Sequence, residues 1–138
     1  MSATILLVRH GMCAHVGKRL AGRSPGVELD EEGVRQAERL ASRLGGERLR
    51  AIYASPLERT VASALPAGRR LDLPVIPCEA LIEIDYGQWT GRDLAQMGGE
   101  PGWESYNLFR SGTRIPDGDF FPAVQARVAS ELELPRKR

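Results

Sequence analysis

Arginine, histidine and glycine stand in succession at Arg9, His10 and Gly11, directly after the aliphatic run Ile5-Leu6-Leu7-Val8. A guanidinium is a flat fork for a phosphate or carboxylate. An imidazole serves as nucleophile or proton carrier near neutral pH. A glycine beside them lets the backbone come close to a ligand. The apolar run from Thr4 to Val8, partly β-branched and stopped at the glycine, reads as a strand buried on both faces. Ligand crevices of open α/β sheets lie at the carboxyl ends of such strands. A cation and a nucleophile are therefore expected at a crevice that receives an anion.

The elements that must position them follow in order. Residues Met12 to Glu28 form a long Gly- and Arg-rich connection, with Lys18, Arg19, Gly22 and Arg23 offering cations and backbone N–H groups. Asp30 caps a helix with acids in its first turn, and Gly45-Gly46 ends it. Its apolar positions Val34, Ala37, Leu40, Ala41 and Leu44 recur at helical spacing. Leu49 to Ala54 reads as a second strand. Ser55 then caps a helix with Pro56 at its first position. Arg59 falls about one turn in, at the end that attracts anions. Pro66 is expected to break or kink this helix. Leu73 to Cys78, flanked by proline, is a third strand near an edge. Trp103, Tyr106, Leu108 and Phe109 suggest a short amphipathic helix. A turn at Ile115 to Asp119 precedes helical spacing at Val124, Val128 and Leu132. Strands alternating with helices predict an α/β chain with a parallel sheet.

Leu7-Val8-Arg9-His10-Gly11 resembles the opening motif of the histidine phosphatase superfamily, which includes phosphoglycerate mutases. The likeness recurs at Leu29, Gly33, Gln36, Ala37 and Leu40, read as packing positions. It recurs again through Ser55-Pro56-Leu57-Glu58-Arg59-Thr60, and at Leu81, Glu83, Gly87, Trp89 and Gly91. The resemblance implies a three-layer α/β/α fold with a mainly parallel sheet, phosphoglycerate mutase-like, as one domain over residues 1–138. It implies that His10 is phosphorylated during turnover, that Arg9 and Arg59 hold the phosphoryl oxygens, and that Glu83 protonates the leaving oxygen. A leaving alkoxide needs such an acid, and Asp85 is the rival to Glu83. Many family members carry acidic and hydroxyl residues after the glycine, with an asparagine further on; here Met12, Cys13 and Val16 stand there. Backbone groups at Gly22 and the Arg23 side chain remain as further phosphate contacts. No metal and no cofactor is expected. Cys13 and Cys78 read as reduced thiols.

The chain departs from the family pattern at its end. Its two histidines are His10 and His15, whereas the pattern continues into a strand bearing a second histidine. The expected fold therefore lacks its final strand region, with about three strands in the sheet. Losing one preorganised donor lowers a rate by about a hundred- to a thousandfold. A sheet edge left open could be covered by a second copy of the chain, as a homodimer or strand-swapped oligomer. Pro135-Arg136-Lys137-Arg138 reads as a solvated tail, and from Leu134 onward the sequence no longer looks like the family's.

A net charge of +1 gives no broad field for nucleic acid. No stretch approaches a membrane span, and no signal peptide is read, which predicts a cytoplasmic protein. The expected function is hydrolysis of a small phosphorylated metabolite through a phosphohistidine, impaired by the missing histidine. The alternative from another class is a non-catalytic phospho-ligand-binding or assembly module. A phosphoglycerate-type mutase fits less well, because Leu81 to Gly87 departs from the mutase pattern. Specificity is expected from Met12–Glu28 and Arg92–Arg114.

Overall fold

The computed structural model describes residues 4–133. The basic end and the change of character expected from Leu134 onward lie outside the described residues. Contacts fall into two units. One holds Val8–Val16 and Pro25–Ile82; the other holds Gly17–Ser24 and the chain from Glu83, with residues 4–7.

The first unit contains α1 (Glu31–Leu44), β1 (Ile52–Ala54), α2 (Glu58–Leu71) and β2 (Val75–Pro77). Asp30 caps α1 as its sequence position demands, its carboxylate accepting the Gly33 N–H at 2.8 Å. The buried stripe of α1 is Gly33, Ala37 and Ala41, one residue per turn, while Leu40 and Leu44 are half-buried. Val34 is exposed, so the apolar face is narrower and made of smaller residues than the periodicity predicts. β1 and β2 run parallel, with Ile52 opposite Val75 and Ala54 opposite Pro77. The α/β reading with a parallel sheet therefore holds.

Two local expectations are corrected. α2 runs through Pro66 without stopping. An interior proline costs about 3 kcal/mol or more, but Pro66 sits on the buried face with Arg59, Ser63 and Ala67, where packing offsets the lost hydrogen bond. The helix instead ends at Asp72, which adopts a left-handed conformation (φ 52°) and donates its N–H to Gly68.

The second correction concerns residues 4–8. They form no strand, and Leu7 is 76% and Val8 53% exposed. A strand exists only where a neighbour takes its N–H and C=O groups. Among the described residues the one ladder of named strands is β1 with β2. An apolar, β-branched composition without a partner leaves an extended segment facing water.

In the second unit, residues 18–20 pair antiparallel with 91–94. Leu20 N–H donates to Arg92 (3.0 Å), Gly91 N–H to Leu20 (2.7 Å) and Leu94 N–H to Lys18 (2.8 Å). Beside this ladder lie α3 (Trp103–Leu108) and α4 (Phe121–Glu133). Val124, Val128 and Leu132 are half-buried on α4, as their spacing predicts. The core is Leu20, Ile84, Trp89, Met97, Tyr106 and Ile115. Trp89 is completely buried and meets Trp103 and Tyr106 edge-on at 5.5 and 5.6 Å between ring centroids. Among the described residues no helix is long and apolar enough to cross a membrane.

Burial pushes the phenols of Tyr86 and Tyr106 above the ordinary tyrosine value. Both rings are neutral in folded and unfolded chains below pH 10, so they add no pH dependence there. Above it the unfolded chain ionises first and is favoured, so stability falls as pH rises. Denaturant titrations followed by near-ultraviolet circular dichroism are expected to show the midpoint dropping above pH 10, with Tyr86→Phe reducing the drop.

Candidate active site

The residues singled out by sequence fall into two groups, one in each unit. In the unit containing α1 and α2, Arg9 is exposed and His10 half-buried. They border a recess of about 170 Å³ lined also by Gly11, Gln36, Leu40 and Ser63. His10 Nδ1 lies 2.7 Å from the Gly11 carbonyl oxygen. A carbonyl only accepts, so Nδ1 is the donating nitrogen in this contact, which leaves Nε2 outside it.

The loop bearing His10 is held from three sides. The Gly11 N–H donates to Ser63 Oγ at 2.9 Å, and the Ser63 hydroxyl donates to the Arg59 carbonyl at 2.7 Å. The Met12 N–H donates to Gln36 Oε1 at 2.9 Å, and Asp30 N–H donates to Met12 O at 3.0 Å. Beneath them Gly33 faces Gly11 backbone to backbone. A Cβ on Gly11 would lie 2.6 Å from the Gly33 carbonyl oxygen, and one on Gly33 would be driven into the Met12 carbonyl.

Arg59 lies in the first turn of α2 and is 2% exposed. Through the Ser63 bridge its backbone and that of Gly11 are tied to one hydroxyl. Ser55 does not cap α2. The cap position is Leu57, with no side-chain acceptor. Thr60 Oγ1 turns back to the carbonyls of Ser55 and Leu57, both at 2.6 Å. The helix begins two residues later than Pro56 suggests. Its opening residue Glu58 accepts the Gly26 N–H at 2.9 Å, a bond that holds its carboxyl below the usual carboxylate range.

The other unit carries Gly22, Arg23 and Glu83. Gly22 is buried with φ +51°, close against Tyr86 and Thr90. The Arg23 guanidinium donates from Nε to the Glu83 carbonyl at 2.8 Å and from Nη2 to Asp119 at 2.7 Å. The Glu83 side chain is exposed and one oxygen accepts the Ile84 N–H at 2.9 Å. Asp85, the rival acid, accepts the Gly87 N–H at 2.8 Å and faces Arg23 Nη1 at 3.9 Å. Among the described residues no group of three or more His, Cys, Asp or Glu side chains could hold a metal ion. Cys13 and Cys78 are free and buried.

The sequence matches the model of the histidine phosphatase superfamily (branch 1) over residues 5–137. The chain belongs to that family. It is 37% identical to phosphoserine phosphatase 1 of Hydrogenobacter thermophilus, over 97% of this chain and 64% of that protein. It is 32% identical to a 2,3-bisphosphoglycerate-dependent phosphoglycerate mutase of Leifsonia xyli subsp. xyli, over 98% of this chain and 59% of that one. A mycobacterial glucosyl-3-phosphoglycerate phosphatase superposes with a TM-score of 0.78 at 30% identity, covering 91% of this chain and 61% of the other. The chain thus spans less than two thirds of the length of each of these relatives, and its fold is theirs.

Sequence reasoning missed three polar residues. Gln36, read as packing, holds a backbone amide beside the His10 loop. Ser63 carried no signal beyond lying one helical turn after Arg59. Asp119, read as the end of a turn, is the centre of a hydrogen-bond cluster. The glycines were visible, but not that Gly11 and Gly33 are each other's reason. Gly33→Ala is expected to destabilise the chain by about 1–3 kcal/mol, although α1 itself favours alanine. Thermal unfolding measures it, and a stabilised variant would show that the close approach is not limiting.

Proposed function

We propose that the chain is a phosphomonoester hydrolase acting on a small phosphorylated metabolite. The observation that carries the reading is the Ser63 bridge, which ties the loop presenting His10 to the helical turn presenting Arg59. In this mechanism His10 Nε2 forms a bond to phosphorus as the bond to the ester oxygen breaks. Arg9 and Arg59 hold the equatorial oxygens, and backbone at Gly22 adds a further contact. The electron pair leaves with the ester oxygen, which takes its proton from Glu83. Water then attacks the phosphohistidine, giving inorganic phosphate and free imidazole. Positioning and charge neutralisation carry most of such a reaction. Glu83 is preferred to Asp85 because Asp85 already spends its carboxylate on the Gly87 N–H and on Arg23.

The named phosphatase relatives support phosphoserine and phosphorylated sugar acids as the first substrates to test. Mixing with labelled phosphoserine and quenching in alkali is expected to leave an acid-labile label on His10. His10→Ala is expected to remove it and to lower hydrolysis by about a thousandfold or more. Binding of phosphate with no label on His10 at saturating substrate would sink the enzyme and leave the phospho-ligand-binding module. Phosphoryl exchange between sugar acids without net hydrolysis would support the mutase.

The same proposal has a second copy of the chain covering the exposed run Ile5 to Val8, as a homodimer or strand-swapped oligomer. Sedimentation equilibrium is expected to return a dimer mass that Leu7→Lys lowers to that of a monomer.

A further inference from the structure

We infer that Arg23 and Asp119 are positioning residues for Glu83, clamping the backbone on both sides of it so that its carboxyl group meets the leaving oxygen. The inference rests on the reading of Glu83 as the acid. The Arg23 fork is spent within the protein, Nε on the Glu83 carbonyl and Nη2 on Asp119, at 2.8 and 2.7 Å. The same Asp119 oxygen accepts the Asp85 N–H at 3.0 Å, while the Asp119 N–H donates to the Asp85 carbonyl at 2.9 Å. Arg127 adds a longer contact to the Glu83 carbonyl at 3.5 Å and faces Asp119 at 3.9 Å. Between the two clamped residues, Ile84 is buried in the core. The main chain at positions 83–85 is thus fixed at two carbonyls, one amide and one buried side chain, while the Glu83 side chain is exposed.

A proton donor works only within hydrogen-bond reach of the atom it serves, and a displacement of about 1 Å can cost about a hundredfold. Two donors at fixed spacing are what arginine supplies and lysine does not. An arginine held this way serves the acid rather than the phosphate.

The test uses the leaving group. When the bond from phosphorus to ester oxygen breaks, the electron pair stays on that oxygen. Serine's oxygen needs Glu83's proton to depart, whereas p-nitrophenolate departs without one. Single-turnover release from phosphoserine and from p-nitrophenyl phosphate is measured for Glu83→Gln, Arg23→Lys and Asp119→Asn. Each variant is expected to lose about tenfold to a hundredfold more on phosphoserine than on the aryl ester, with Asp119→Glu recovering part of the difference. Equal losses on both esters in the Arg23 and Asp119 variants, with Glu83→Gln still discriminating, would overturn the positioning role alone. Failure of Glu83→Gln to discriminate, or no release from either ester, would overturn the reading of Glu83 and the inference with it. Amide exchange at Asp85 supplies a readout independent of turnover. Asp119→Asn is expected to speed it while the near-ultraviolet signal of Trp89 and Trp103 is kept, and unchanged exchange would overturn the clamp. Where Asp119→Asn does not fold, Arg23→Lys decides by the same measurements.

Discussion

The contact on which the surroundings of His10 depend is made by two residues with no side chains. Gly11 and Gly33 meet backbone to backbone, so closely that neither has room for a methyl group. Excluded volume is unforgiving where the obstacle is backbone, because no rotamer change relieves it. Only with both glycines does the turn after His10 settle on the first turn of α1. Only then do Met12 and Gly11 bring their N–H groups to Gln36 and Ser63. The hydrogen bonds follow from the close approach, since each is directional and short-ranged.

Each of those bonds also answers a desolvation problem. Gly11 is buried, and a buried N–H without an acceptor costs about 1–3 kcal/mol. Ser63 takes it and passes its own proton to the Arg59 carbonyl, so one hydroxyl satisfies a loop amide while adding a second acceptor bond within its helix. The other unit solves its problem with charge. Asp119 accepts at one oxygen from both Arg23 and the Asp85 amide. Its neighbours are half-exposed, which limits the ion pair's worth in stability to about 1 kcal/mol or less. The gain is in geometry: a carboxylate with two donors at fixed angles defines where the backbone runs.

Legibility from sequence follows the range of the interactions. Asp30 capping α1, the parallel pair of β1 and β2, and the half-buried face of α4 were readable because caps and periodicity are local. The expectations at His10, Arg59 and Glu83 rest on neighbours in sequence that carry the family's signature. Residues 4–8 misled because burial and pairing are tertiary facts; composition states what a segment could be and not whether a partner comes to it. The break allowed for at Pro66 does not occur because helix propensity is a weak prior beside a buried face. Ser55 misled because Thr60, five residues on, takes the carbonyls at the helix start. Asp119 was unreadable for a different reason: its three partners come from positions 23, 85 and 127, and no local pattern joins them.

That residues 4–8 form no strand while Gly11 and Met12 are hydrogen-bonded to both helices separates two things usually attributed to one element. In an α/β sheet the strand before a catalytic turn is credited with placing it. Here the restraints on Gly11 and Met12 come from Ser63 on α2, from Gln36 and Gly33 on α1, and from Asp30 at its cap. The bond from Asp30 belongs to the isolated antiparallel bridge between Cys13 and Leu29, and none of them comes from residues 4–8. The geometry at His10 is thus carried by the packing of two helices against a loop, and among the described residues the apolar run before it forms no ladder of its own. Such a division explains how a motif can keep its local form on a chain whose preceding segment stands unpaired. It also places the burden of precision on small residues: Gly33, Ala37 and Ala41 form the buried stripe of α1, and any larger side chain at the first of them would move the loop before it moved the helix.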